Sequence, residues 1–243
     1  MVLKDSQTTR RRFLVGAAGL ATAGATFRFP TPALAQGAAL KVGLMLPYSG
    51  TFAKLGKFVD DGFRLYVEQQ GGKLGGRTVE FVQVDDESKP EAATDNMNRL
   101  VGRDKVDVVV GTVHSGVAMA MAKVAKDTGT LLIVPNAGAD AITGPMCSPG
   151  IVRSSFSNWQ PGYSTGVVAA QKGYKRAMTI TWNYAAGNET VKGFTEAFEK
   201  GGGKVMKDLT LPFPNVELRA CRRSESPSRT AARSCSGRPR RSP

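Results

Sequence analysis

The stretch Val106–Gly116, VDVVVGTVHSG, holds a valine run, a glycine break and a serine placed just before a new helical pattern. Val106–Val110 has the character of a strand covered on both faces, where alternation is lost because neither face meets water. Ser115 suits the N-cap of a helix whose apolar residues Val117, Met121, Val124 and Ala125 recur at helical spacing until Gly129. A buried strand feeding a helix is half of a βαβ unit, and the flanking sequence supplies more of them. Upstream, Lys41–Leu46 (KVGLML) reads as a strand closed by Pro47, and Leu55, Val59, Gly62, Phe63, Tyr66 and Val67 mark one face of a helix stopped by Gly71-Gly72. Thr78–Val84 reads as a strand, and Pro90 opens a helix striped by Ala93, Met97, Leu100 and Val101. Downstream, Leu131–Val134 is a strand ended by Pro135. Residues 40–135 therefore read β-α-β-α-β-α-β, an order that demands parallel strands, right-handed crossovers and helices on both faces of a doubly wound α/β layer.

The rhythm breaks in a Gly/Pro/Ser-rich passage between Pro135 and Pro161, with one short strand near Ile151–Arg153. It resumes with a helix from about Pro161 to Lys172, a strand at Ala177–Thr181, a helix from about Asn188 to Lys200 and a strand at Lys204–Leu209. The expected organisation is an N-terminal lobe over residues 36–154 and a partial second lobe over 155–218. Glu196 and Lys200 are spaced for a favourable i,i+4 pair on the last helix.

Hydrophobic residues make up 41% of the 243 and charged residues 22%, enough for a packed core. The net charge of +13 sits at the ends: residues 1–35 carry five basic residues against one Asp, residues 219–243 carry eight Arg against one Glu, and residues 36–218 keep about +2. Thr9-Arg10-Arg11-Arg12-Phe13-Leu14, a short apolar run and Ala33-Leu34-Ala35 resemble a twin-arginine export signal cleaved near Ala35/Gln36, too short and glycine-rich to span a bilayer. The expected location is the periplasm. Residues 219–243 are Arg-, Ser- and Pro-rich without apolar period and are expected to be disordered. GC-rich DNA read out of frame yields this composition, so the other two frames past codon 217 should restore strand and helix patterns. An arginine-rich nucleic-acid arm is disfavoured because it lacks aromatic residues for stacking and follows an export signal.

Three cysteines and one histidine exclude a disulfide scaffold and a multi-histidine metal centre, and no Gly-x-Gly-x-x-Gly follows the first strand, so neither a metal nor a dinucleotide cofactor is expected. Cys147 is expected to pack inertly. Asp85 and Asp86 are adjacent on a strand, point to opposite faces and suit turn and cap roles better than a shared ion. Ligands of open α/β sheets bind beyond the carboxyl ends of the strands, here Pro47–Gly50, Asp85-Asp86, Gly111–Gly116 and Pro135–Asp140. Gly111–Gly116 leads into a helix N-terminus whose free N–H groups suit a small carboxylate, with the Ser115 hydroxyl as a further donor; Ser115 acting only as an N-cap is the alternative. His114 has no nucleophile motif and no second histidine, so it lines the cleft without catalysing anything, and no enzyme is expected.

KVGLMLPYSGTFAKLGK, VDVVVGTVHSG, IVPNAGADAITG, SFSNWQPGY and TITWNYAAGNETVKGFTEAFEKGGGKV together resemble type I periplasmic solute-binding proteins, close to the branched-chain amino-acid receptors of ABC importers. The resemblance covers residues 40–217. It implies the two-lobed type I fold, here with an incomplete second lobe, a small-molecule ligand held without chemistry, an ABC permease as partner and a monomeric state. The family's carboxylate-holding serine falls on Ser115, flanked by His114 and Gly116. Contacts after the fourth strand fall on Asn136 and Gly138, with Ala137 between them. An aromatic contact of the second lobe falls on Tyr184, and another after the first strand falls near Leu55, which lacks a tyrosine's hydroxyl. Trp182, read as adjacent to Tyr184 in a strand and so facing the other way, is expected in the core. The resemblance leaves branched-chain amino acids and aromatic or other small organic acids level as ligands. A frameshifted, non-functional fragment and a ligand sensor on the same fold are the alternatives, and with half a lobe the chain is expected to bind ligand poorly or not at all.

Overall fold

A computed structural model describes residues 37–214; the expected export signal and the Arg-rich tail lie outside the described residues. Among these residues no helix is long and apolar enough to cross a membrane. Leu40–Leu46 forms β1, the centre of a six-stranded sheet with Lys73–Leu74 (β2), Arg77–Asp85 (β3), Val108–Val110 (β4), Leu131–Val134 (β5) and Ile151–Arg153 (β6). The order is β2-β3-β1-β4-β5-β6, all parallel except the two-residue β2, which turns back antiparallel onto β3. The chain winds from β1 outward to β3, then crosses back over β1 to β4, so the winding direction reverses between β1 and β4. That reversal opens a crevice at their carboxyl ends.

One face of this sheet is clad by Pro90–Asn98 (α2), continued through a wider π turn at Arg99–Arg103, and by Ser115–Thr128 (α3). Met45, Val84, Val109, Leu132 and Ile151 point into this layer and pack with Ala93, Met97, Leu100, Val117 and Met121 in one continuous core. The other face, centred on Val42, Leu44, Val108 and Val110, carries Ala53–Gln69 (α1), with Phe63 edge-on to Phe81 at 6.1 Å. That helix differs from its expected stripe. Gly56, Asp60 and Val67 are buried, whereas Leu55, Gly62 and Tyr66 are exposed. Asp60 can face inward because Arg64 Nε donates to its Oδ1 at 2.6 Å. Among the described residues nothing covers the flank of the sheet beyond α1, where Leu131 and Val152 are exposed.

Trp159–Gln171 (α4), Arg176–Trp182 (β7), Ala185–Lys200 (α5) and Lys204–Leu211 (β8) form the second layer, with β7 and β8 paired in parallel. The two helices cross with backbones touching: a Cβ added at Gly162 would lie 2.0 Å from the Thr190 carbonyl, and one at Gly193 would lie 2.4 Å from that of Trp159. Glu196, expected to pair with Lys200, instead accepts from Trp159 Nε1 at 3.0 Å across this seam. Cys147, expected to be packed, is exposed because it lies in the loop after the short helical turn Asp140–Thr143.

Candidate functional site

The carboxyl ends of β1, β4, β7 and β8 converge, and each delivers aromatic surface. Phe52 follows β1, His114 follows β4, Trp182 ends β7 with Tyr184 two residues on, and Phe213 follows β8. Phe213 sits in the middle, with ring centroids 4.9 Å from His114, 5.3 Å from Trp182, 5.3 Å from Tyr184 and 5.5 Å from Phe52. His114 stacks on Tyr184 at 4.8 Å with 28° between planes. Trp182 therefore faces the cleft and not the core. Trp182 and Tyr184 are two residues apart, so strand alternation itself sets both rings on one side, and the Tyr184 N–H bonding back to the Trp182 carbonyl at 2.9 Å closes the strand there.

The helix cap is also not the one expected. His114, not Ser115, caps α3: its Nδ1 accepts from the N–H groups of Gly116 at 3.1 Å and Val117 at 3.3 Å. Two amide donors foreseen for a ligand are thus already used. Burial drives the His114 pKa down from 6.5 to about 4, with Glu91 pulling weakly the other way, so the ring is neutral. A neutral ring that accepts through Nδ1 carries its proton on Nε2, and that N–H meets no acceptor among the described residues. Gly116 has no room for a side chain, since a Cβ would lie 2.8 Å from Pro90 Cγ and 3.0 Å from His114 Cε1.

Ser115, only 1% exposed, accepts at Oγ from Asn158 Nδ2 at 3.1 Å. The same Nδ2 donates to Glu189 Oε2 on α5 at 2.7 Å, and that oxygen also accepts the Asp140 N–H at 3.2 Å. The loop after β5 supports this bridge. The Gly138 carbonyl accepts the Asn158 N–H at 2.8 Å, the Ala137 N–H bonds to the Thr112 carbonyl at 3.0 Å, and the Asn136 carbonyl accepts from Ser155 Oγ at 3.1 Å. Gly138 allows the approach because a Cβ there would stand 2.4 Å from Asn158 Oδ1.

Under the loop after β4, Asp86 accepts from Thr112 Oγ1 and from the Ser88 N–H at 2.8 Å. Burial dominates and raises its pKa to about 6 against these bonds. Asp85 is the turn organiser: it accepts from the N–H groups of Tyr48 and Glu87, both at 2.9 Å, and these and the Ser49 bonds hold its pKa below the ordinary range although burial alone would raise it. Neither carboxylate belongs to a cluster of three potential metal ligands, and none is found among the described residues. A depression of about 310 Å³ lined by Gly37, Ala38, Ala39, Lys73, Gly76 and Thr78 lies at the opposite, amino-terminal end of the strands.

The structure thus brings together His114, Ser115, Gly116, Ala137, Gly138 and Tyr184, with Asn136 at the edge. Leu55 lies apart on the outer flank of α1, 43% exposed, and Phe52 supplies the ring expected near it. Phe52, Phe213, Asn158 and Glu189 were not foreseen. The loop position of Phe52 after a strand end was the available clue; the other three depend on contacts between distant segments.

Three comparisons bear on this arrangement. The chain is 54% identical to an ABC-transporter solute-binding protein of R. palustris solved in complex with benzoate, with a TM-score of 0.74 over 76% of this chain and 52% of that one. It is 33% identical to a Rhodopseudomonas palustris BisB5 solute-binding protein in complex with 3,4-dihydroxybenzoic acid, with a TM-score of 0.70 over 76% and 51% of the two chains. It is 32% identical over 175 residues to a Leu/Ile/Val-binding protein homolog of Brucella abortus, covering 72% of this chain and 44% of the relative. The chain spans about half the length of these proteins. The periplasmic binding protein family model matches residues 39–220. With that model matched over most of its length and its fold shared with solved relatives, the chain belongs to the periplasmic binding protein family.

Proposed function

We propose that this chain carries the capture site of an exported solute receptor that delivers a small aromatic carboxylate to an inner-membrane ABC permease. In this reading residues 1–35 are a leader removed near Ala35/Gln36, a second lobe begins near residue 155, and the receptor acts as a monomer without transforming its ligand. One observation carries the reading: five aromatic rings from four strand ends meet at the β1–β4 crevice, and one of them, His114, offers a donor alongside the Ser115 hydroxyl. The space among Phe52, His114, Trp182 and Tyr184 already takes a benzene ring, that of Phe213, at ordinary stacking and edge distances. His114 Nε2–H and the Ser115 hydroxyl suit a carboxylate on such a ring. An α-amino acid would also need an acceptor for its ammonium group, and Glu189, the carboxylate bonded through Asn158 to Ser115, is engaged by Asn158 and by the Asp140 N–H. The relatives solved with benzoate and 3,4-dihydroxybenzoic acid support the same class.

Saturation-transfer NMR on the purified chain, which detects millimolar binding, tests this. Transfer to the ring protons of benzoate with none to leucine methyls is expected. Transfer to leucine alone, or to neither, would overturn the reading.

A further inference from the structure

We propose that Asn158 and Glu189 are positioning residues that fix Ser115 as a hydrogen-bond donor toward the cleft, so that the receptor distinguishes an anionic ligand head from a neutral one of the same shape. The inference rests on the proposed carboxylate ligand and adds how the charge is read. An amide side chain has two orientations, one presenting NH2 and one presenting oxygen, and only its surroundings choose between them. Here the choice is forced. Glu189 Oε2, an acceptor, lies 2.7 Å from Asn158 Nδ2, and the reversed amide would set two oxygens against each other. Glu189 is itself held by the Asp140 N–H, and Asn158 is pinned through its backbone to Gly138 and through its carbonyl to Thr190 Oγ1 at 3.1 Å.

With the amide so oriented, its second hydrogen goes to Ser115 Oγ at 3.1 Å. A hydroxyl that accepts on the inner side keeps its own hydrogen for another partner, and among the described residues no acceptor for it exists. Asn158 is 95% buried and Ser115 99%, so water does not compete freely for these bonds. His114 is prepared in the same sense by another device, because the α3 amides occupy its Nδ1 and leave Nε2–H. Both polar side chains of the crevice thus have an acceptor atom engaged inside the protein and a hydrogen left over. A carboxylate oxygen satisfies such a pair, whereas a carboxamide turned the wrong way presents hydrogens to hydrogens. Because Glu189 lies on α5 and Ser115 on α3, the relay also ties the reading of charge to the seating of the second layer on the first.

The test compares benzoate with benzamide on the full chain and on Glu189→Gln, which keeps the shape of the side chain but tolerates either amide orientation. The unsubstituted chain is expected to favour benzoate at least tenfold. Glu189→Gln should lower that ratio severalfold by losing benzoate affinity while benzamide holds, and Asn158→Asp, which draws the serine hydrogen inward, should remove the preference. Circular dichroism establishes that each variant is folded. A parallel loss of both ligands, or an unchanged ratio, in folded Glu189→Gln would overturn the inference and leave these residues a purely structural role. Should the unsubstituted chain bind neither ligand, the proposed function falls by itself, and the side-chain amide resonances of Asn158 still decide the relay. They should be protected from exchange in the unsubstituted chain and lose protection in Glu189→Gln; unprotected resonances in the unsubstituted chain would overturn it.

Discussion

His114 and Asp86 lie on either side of the loop after β4 and are perturbed by the same cause, burial, with opposite consequences for stability. The unfolded chain protonates His114 near 6.5 whereas the folded one waits until about 4, so this group costs stability as pH falls through that interval. Asp86 behaves in reverse: the folded state keeps its proton up to about 6 while the unfolded state releases it near 3.8, so its contribution is largest below 3.8 and is lost as pH rises to 6. The two slopes oppose each other between about pH 4 and 6. His114→Asn, which can still cap α3, should therefore gain about 2 kcal/mol relative to the unsubstituted chain between pH 7 and 4.5, and Asp86→Asn should gain a similar amount in the opposite direction. Urea unfolding at the two pH values measures both, and equal differences at both would contradict the assignment. At this scale the sequence was only partly legible. It marked Ser115 and Tyr184 as cleft residues, but the serine's cap role passed to its neighbour because an imidazole reached the same two amides, which no propensity ranking anticipates.

At the scale of elements, glycines that look alike in the sequence have different environments. Gly162, Gly166 and Gly193 form the seam along which α4 and α5 touch, and an added methyl at Gly166 would lie 2.4 Å from the Phe194 carbonyl. Gly162→Ala should cost about 2–3 kcal/mol, since backbone cannot yield as a side-chain tip does. Gly62 on α1 has nothing within 4 Å of the same added atom. Gly62→Ala should stabilise by about 0.5–1 kcal/mol through helix propensity alone, and thermal melts of the two variants should move apart. Periodicity placed nearly every helix and strand within a few residues, because capping, spacing and stop signals agreed along the chain. It placed Phe63 and Val67 of α1 inward but misjudged Leu55, Gly62 and Tyr66, which are exposed, while an Asp–Arg pair let Asp60 occupy a buried position. It also misplaced Trp182, which stands two residues from Tyr184 and so shares its face of the strand.

For the whole molecule, the parallel winding could be read from the order of elements, but the meeting of the two layers could not. That contact depends on Asn158, Glu189 and Phe213, which are remote from Ser115 in sequence and carry no local pattern. The layers should also differ in durability. β1 and β4 are buried centrally in six strands, whereas β7 and β8 form a pair with helices on one side and with Met178, Ile180 and Met206 exposed. Amide hydrogen exchange should release β7 and β8 well before β1 and β4, by local opening of the smaller layer. Simultaneous exchange of both would mean that they unfold as one unit.

The uneven cladding of the larger sheet also affects handling of the protein. Phe58, Leu65 and Tyr66 on α1 are each more than half exposed, and on the β5–β6 flank Leu131 and Val152 are exposed as well. A reporter dye such as ANS, which brightens on greasy surfaces, should glow on the native chain at neutral pH without any denaturant. Its signal should drop when Phe58 and Leu65 are both replaced by serine, while the far-ultraviolet spectrum stays the same.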